Sequence, residues 1–192
     1  MNICIISGSP RKNSNSLKVA KAIEIAAKGK GIEEIYLVKF DEYDIPLMAN
    51  GDLDENNLTQ FQQQLKDSMD AASLIFIISP EYNWMPSAEL INFIHQMTDR
   101  PYASMWSDKV FAIAGSSNGR GGKFPTVQLT YVLNKINSVM HYDSIVVPRV
   151  FESQFTQKAL DENGQSLGNE EYDKGLNLFV EVALKTAKRW NS

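Results

Sequence analysis

Five short apolar runs punctuate the chain: NICIIS at 2–7, IEEIYLV at 32–38, SLIFIIS at 73–79, KVFAIAG at 109–115 and YDSIVV at 142–147. Three of them are almost wholly apolar, as expected of strands covered on both faces. Between the runs, apolar residues recur at helical spacing. Leu17, Ala20, Ile23 and Ala27 share a face, with Gly29 and Gly31 as stop signals. Leu58, Phe61 and Leu65 make a second stripe behind Asn56 and Asn57, and Leu90, Ile94 and Met97 a third behind Pro86 and Ser87. Leu129, Val132, Leu133 and Ile136 make a fourth, and Leu176, Val180, Ala183 and Ala187 the last, ending near Trp190. A strand followed by a helix, five times over, predicts an α/β chain with a five-stranded parallel sheet and helices on both faces. The expected strand order is 2-1-3-4-5. Segments 40–55 and 152–170 read as long polar connections, the second as an excursion before the last helix and not a domain boundary. Residues 1–192 are therefore expected to form a single domain.

Composition narrows the function without naming it. The chain has 192 residues, 43% of them hydrophobic and 22% charged, enough for one well-formed core. A net charge of -4 argues against nucleic acid as a partner, since that requires a basic face. The single cysteine, Cys4, excludes an internal disulfide and a cysteine metal cluster; within an apolar run it reads as a small buried hydrophobe. The opening run is too short and lacks the basic flank of a signal peptide, and no segment approaches the roughly 18 apolar residues of a membrane span. The expected location is cytoplasmic.

In a doubly wound sheet, ligands sit beyond the carboxyl ends of the strands where the strand order reverses, here between strands 1 and 3. The loop after strand 1 is GSPRKNSNS, Gly8 to Ser16. It opens a helix, whose free N–H groups and dipole favour an anion. Ser9, Ser14 and Ser16 offer hydroxyls, Asn15 an amide, and Arg11 a planar cationic fork suited to phosphate. Helix capping by Ser14 or Asn15 alone would leave Arg11 and the additional hydroxyls unexplained. No G-x-G-x-x-G and no G-x-x-x-x-G-K-[ST] is present, which disfavours a dinucleotide fingerprint or a P-loop. A mononucleotide such as FMN fits.

Two further loops should reach the same edge of the sheet. SPEYNWMPSAEL, 79–90, follows strand 3: Pro80 stiffens it, Tyr82 and Trp84 supply flat apolar surface, and Asn83 can satisfy a ring amide edge. Its backbone N–H groups could favour a flavin anion. The alternative is a turn whose aromatics, Trp84 with Met85, pack on a partner subunit. GSSNGRGGKFP, 115–125, follows strand 4 and carries four glycines that permit close backbone approach.

The chain resembles the NADPH-dependent FMN reductase family, with its flavodoxin-like three-layer sandwich and its chromate, quinone and azo-dye reductases. The family's G-S-x-R-x-x-S-x-N is matched at Gly8, Ser9, Arg11 and Ser14, with Ser16 for the final Asn. P-E-Y-N stands intact at Pro80, Glu81, Tyr82 and Asn83. S-P-G-G-x-G-G is matched at Ser116, Gly119, Gly121 and Gly122, with Ser117 and Asn118 substituted. DIPL at 44–47 and DENGQ at 161–165 are similar to the family's connecting segments, so the likeness spans nearly the whole chain. It departs where Trp84 and Met85 replace small residues after P-E-Y-N, where Pro86 comes early, and where NFIHQ at 92–96 stands for N-A-I-D-W. The resemblance implies an oxidoreductase that passes hydride from NADPH or NADH via bound FMN to a small-molecule flavin, quinone, azo or metal-oxyanion acceptor. Ser9, Arg11, Ser14, Asn15, Ser16, Pro80, Glu81, Tyr82, Asn83, Trp84, Ser116, Ser117, Asn118 and Gly119 are the candidate cofactor contacts. The rival expectation is a flavodoxin-like electron carrier that does not turn over pyridine nucleotide.

In such a family the cofactor performs the difficult step, so no side chain is assigned as catalytic. His95 and His141 read as structural histidines, and two histidines without a paired carboxylate motif make a poor metal site. Arg100, Arg120 and Lys123 are weaker candidates for the NADPH phosphates. Trp84, Met85, Tyr102, Met105 and Trp106 form an unusually apolar stretch, part of which should be exposed. Together with the resemblance, this leads us to expect a homodimer or tetramer.

Overall fold

The computed structural model describes residues 1–51 and 53–192; position 52, inside the expected 40–55 connection, lies outside the described residues. The strands are β1 (Ile3–Ser7), β2 (Ile35–Lys39), β3 (Leu74–Pro80), β4 (Val110–Ser116), β5 (Ile145–Val146) and β6 (Phe151–Ser153). The helices are α1 (Asn15–Lys28), α2 (Gln60–Ala71), α3 (Ala88–Met97), α4 (Lys123–Met140), α5 (Thr156–Ala159) and α6 (Glu170–Trp190). The parallel sheet runs β2-β1-β3-β4-β5, with β6 also on β4, so the expected order holds.

The all-apolar strands split their side chains between two cores, because successive residues point to opposite faces. Ile3 and Ile5 of β1, Leu74, Phe76 and Ile78 of β3, and Val110, Ala112 and Ala114 of β4 face α1 and α6. Cys4 and Ile6, Ile75 and Ile77, and Phe111 and Ile113 face α2, α3 and α4. Cys4 is fully buried, and that burial pushes its thiol pKa well above the ordinary range, so it behaves as a small hydrophobe. Lys109 is drawn inward to finish α2: its Nζ donates to the carbonyls of Asp70 at 2.9 Å and Ala72 at 2.8 Å.

Two expectations change. The 40–55 connection is not simply polar: Phe40 is fully buried and sits edge-on to Phe61 and Phe93, with ring centroids 5.6 and 5.8 Å away. The fifth strand is broken in two. Val110 pairs with Ile145 and Ala114 with Phe151, so pairing resumes two residues out of step, and Pro148, which has no N–H, lies in the gap. The 152–170 connection therefore contains the end of β6 and all of α5. Of the apolar stretch expected to be exposed in part, Trp84 and Met85 are exposed, while Tyr102, Met105 and Trp106 are buried. The Trp106 ring stacks on Phe93 at 5.4 Å, lies 5.7 Å from Phe111, and donates its indole N–H to the Met97 carbonyl, so the core satisfies both its faces and its polar edge.

Candidate functional site

The loop after β1 folds back on itself. Ser9 Oγ accepts the Arg11 N–H at 3.3 Å and lies 3.1 Å from the Tyr82 hydroxyl. Ser14 is the N-cap of α1, its extended backbone placing Oγ to accept the Leu17 N–H at 3.2 Å. The N–H groups of Asn15 and Ser16 have no intrahelical carbonyl to bond, and both residues line the cleft. Asn15 reaches across to the loop after β4, donating Nδ2 to Asn118 Oδ1 at 2.6 Å. Ser16, fully buried, shares a hydrogen bond of 2.9 Å with Ser116 Oγ. Two of the three loops are thus joined by polar side chains at the base of the cleft.

The loop after β3 closes as a two-residue hairpin. The Tyr82 N–H donates to the Met85 carbonyl and the Met85 N–H to the Tyr82 carbonyl, each at 3.0 Å. Asn83 (φ 51°) and Trp84 (φ 69°) both take left-handed backbone, as a type I′ turn requires. Asparagine suits that geometry; tryptophan does not, and the turn thrusts its ring outward, 65% exposed, against Phe124 at 5.0 Å. On the cleft side, the Arg11 guanidinium lies over the Tyr82 ring, 4.7 Å from its centroid.

Glu81 joins this loop to the third. Its N–H donates to the Ser116 carbonyl at 3.0 Å, and its Oε2 accepts the N–H of buried Gly122. The glycines leave room for the closure. A Cβ on Gly115 would stand 2.0 Å from the Gly122 carbonyl oxygen, and one on Gly121 would stand 2.7 Å from Glu81 Oε1.

These loops enclose a cavity of about 390 Å³, lined by Ser9, Arg11, Lys12, Asn13, Ser14, Asn15, Ser16, Lys18, Pro80, Glu81, Tyr82, Ser116, Ser117, Asn118 and Gln157. It lies at the carboxyl ends of β1, β3 and β4, where the strand order reverses. Volume alone does not single it out, since a groove of about 500 Å³ lies between β6, α5 and the start of α6. The convergence of hydroxyls, amides and three cations at the N-terminus of α1 does, whereas the groove at the start of α6 sets one cation, Lys158, against Glu152 and Glu171. Among the described residues, Glu81 is the only acid in the lining, and it is held by Gly122.

Most of the residues expected from sequence meet in this cavity, whereas Asn83, Trp84 and Gly119 lie outside its lining. Lys12, Asn13, Lys18 and Gln157 line it unforeseen. Lys12 and Asn13 stand inside the loop already singled out, and Lys18 lies one turn into α1, so helical spacing could have found it. No sequence signal marks Gln157. Arg100, Arg120 and Lys123 do not line the cavity. His95 is exposed on α3, and His141 ends α4 in left-handed backbone. Among the described residues, no group of His, Cys, Asp or Glu side chains is placed to hold a metal, and no helix is long and apolar enough to cross a membrane.

A doubly wound sheet with a hydroxyl- and cation-lined cleft at its point of reversal defines a phosphate-ligand protein of flavodoxin-like architecture. The model of the family described as NADPH-dependent FMN reductase matches residues 1–152, and the chain belongs to that family. It is similar to a probable NADPH:quinone oxidoreductase 2 of rice, 27% identical over 176 residues, covering 88% of this chain and 81% of that protein. It is also 29% identical over 125 residues to a quinone reductase of Pseudomonas putida, covering 64% and 63% of the two chains. Among solved structures, the flavoenzyme NAD(P)H:(acceptor) oxidoreductase FerB of Paracoccus denitrificans superposes with a TM-score of 0.75 at 21% identity, covering 98% and 97% of the chains. An archaeal flavodoxin does so with a TM-score of 0.61 at 15% identity, covering 98% and 99%. The chain is an oxidoreductase of the FMN reductase kind, with FMN as cofactor and NADPH as reductant.

The residues present suit that cofactor. The volume lies within the range of small-ligand sites. Its cations, hydroxyls and the N-terminus of α1 suit the phosphate, and Pro80 and Tyr82 add flatter, less polar surface to the same lining.

Proposed function

We propose that this chain, as a single domain over 1–192, holds FMN in the three-loop cavity and reduces quinones with NADPH. One observation carries the reading: Arg11, Lys12, Lys18 and the serine hydroxyls converge with the N-terminus of α1 where the sheet order reverses. Arg11 and the α1 N-terminus would hold the phosphate, and Ser9, Asn15, Ser16, Ser116, Ser117 and Asn118 would meet the ribityl chain. Pro80, Glu81, Tyr82 and Asn83 would border the ring, with Trp84 and Gly119 at its rim. The names of both curated relatives favour a quinone over an azo or metal-oxyanion acceptor.

Bound FMN supplies the two-electron chemistry, and the protein orients it and sets its surroundings. Arg11 and the two lysines neutralise the phosphate. The Glu81–Gly122 bond fixes the third loop against the second, so that the ring border is formed before ligand arrives. No side chain is needed as acid or base. The experiment is an absorbance spectrum of the protein as purified, followed by anaerobic NADPH and then a benzoquinone. Flavin bands that bleach with NADPH and return with quinone are expected. Flavin that NADPH does not bleach would leave an electron carrier instead, and protein that takes up no FMN would overturn the reading.

A homodimer in the cytoplasm completes the proposal. Trp84, Met85, Phe124, Val127 and Tyr131 are 65, 54, 46, 56 and 73% exposed. The last three recur at helical spacing along α4 beside the Trp84 ring, and Gln128 Nε2 donates to the Trp84 carbonyl at 3.0 Å. A second copy of this chain is the partner that such a self-contained apolar face suits.

A further inference from the structure

We propose that Gln157 is an additional binding residue of the cavity, donating its side-chain amide to the phosphate of the bound ligand from the side opposite the first loop. The assignment rests on the reading of the cavity as a site for a phosphate monoester.

Gln157 belongs to α5, an element beyond the residues 1–152 that the family model covers. Its position is nevertheless fixed by the site. Phe155 donates its N–H to the Gly119 carbonyl at 3.0 Å, and the Thr156 N–H and Oγ1 both donate to the Ser117 carbonyl, at 3.1 and 3.2 Å. Thr156 is fully buried, and its Oγ1 lies 2.7 Å from Ser153 Oγ at the end of β6. The backbone beside Gln157 is therefore pinned to the third loop.

From that anchor the Gln157 side chain enters the same cavity as Arg11, Ser14 and Lys18. Among the described residues its carboxamide has no hydrogen-bond partner, and it is exposed in the protein alone. The neighbouring polar side chains are already engaged: Asn15 with Asn118, Ser16 with Ser116, and Ser9 with Tyr82. An amide offers two N–H donors, and a phosphate monoester brings more acceptor oxygens than the first loop faces from one side. The chemistry of the lining excludes a cationic ligand, since Arg11, Lys12 and Lys18 share it with one acid.

The test is titration of the apoprotein with FMN and, in parallel, with riboflavin, which lacks the phosphate, for wild type, Gln157→Ala, Gln157→Glu and Gln157→Lys. For FMN, we expect Ala to weaken binding by about threefold to tenfold, Glu by more than about tenfold, and Lys to tighten it. Riboflavin binding should change by less than about twofold in all three. Because the side chain is exposed, thermal unfolding of the apoproteins should stay within about 2 °C of wild type. Wild type that binds FMN while the variants bind it equally well overturns the assignment alone. Equal losses for FMN and riboflavin overturn the phosphate contact. Wild type that binds neither flavin overturns the assignment together with the reading beneath it.

Discussion

Glu81 makes the most consequential single contact in the site, and its removal has a calculable cost. The carboxylate accepts the N–H of Gly122, which is buried and whose carbonyl oxygen is crowded against Gly115. Truncation in Glu81→Ala leaves that N–H without its acceptor in a place where solvent enters poorly. A buried unsatisfied donor costs about 1–3 kcal/mol, so we expect about 2 kcal/mol of destabilisation in the apoprotein. For a chain of this size that lowers the unfolding temperature by about 4–8 °C. Glu81→Gln keeps a side-chain oxygen at the same reach and loses only the charge-assisted part, about 0.5–1 kcal/mol. The order wild type, Gln, Ala should reappear in the amide hydrogen exchange of Gly122, fastest in Ala. Urea unfolding and exchange on flavin-free protein measure both without invoking catalysis. An Ala variant within about 0.5 kcal/mol of wild type, or Gln as damaging as Ala, would refute the argument that this carboxylate holds the third loop.

Gly115→Ala should cost about 1–3 kcal/mol and weaken FMN binding, because its Cβ would meet the Gly122 backbone at 2.0 Å and backbone cannot swing aside; urea unfolding and a flavin titration check it. Burial raises the Tyr172 phenol from 10.0 to about 12, against a smaller opposing effect from its hydrogen bond with Ser153. Its folded pKa lies above its unfolded one, so this contribution is intact below pH 10 and is lost as pH rises towards 12. Tyr172→Phe should start about 1 kcal/mol less stable at pH 8 and lose less than wild type between those two values, as urea midpoints across the range would show. Phe124→Asp combined with Tyr131→Asp should convert the proposed homodimer to a monomer with its core unchanged, since both side chains are exposed; sedimentation velocity reads the result.

The layered architecture was legible because β1, β3 and β4 are almost wholly apolar, a pattern that fits strands with helices on both sides. The first loop was legible because Arg11 and its hydroxyls exceed what a helix cap needs. The sequence indicated that part of the apolar stretch from Trp84 to Trp106 is exposed, but not which part. Trp106 and Tyr102 look like exposed aromatics when sequence neighbours alone are weighed, but Phe93 and Phe111, distant in sequence, supply the faces against which Trp106 stacks. The Trp84 side chain shows the converse. Its place in P-E-Y-N-W left both ring contact and a partner interface open, and a two-residue turn with positive φ at both central positions exposes it while Tyr82 lines the cavity.

The least legible feature is the one that brings α5 to the cavity, and the broken fifth strand explains why. An uninterrupted strand ending near 147 would carry the following residues into solvent along the sheet edge. The gap at Pro148 lets pairing resume at Phe151 opposite Ala114, so the chain leaves β6 at Ser153 level with Ser116. From there the Ser117 N–H donates to the Ser153 carbonyl at 2.9 Å, and Thr156 returns two hydrogen bonds to the Ser117 carbonyl. The interruption thus sets the height at which the chain meets the third loop, and with it the place of Gln157 in the cavity lining. A change that restored continuous pairing across 147–151 would withdraw Gln157 while leaving every motif residue of the first and second loops in place.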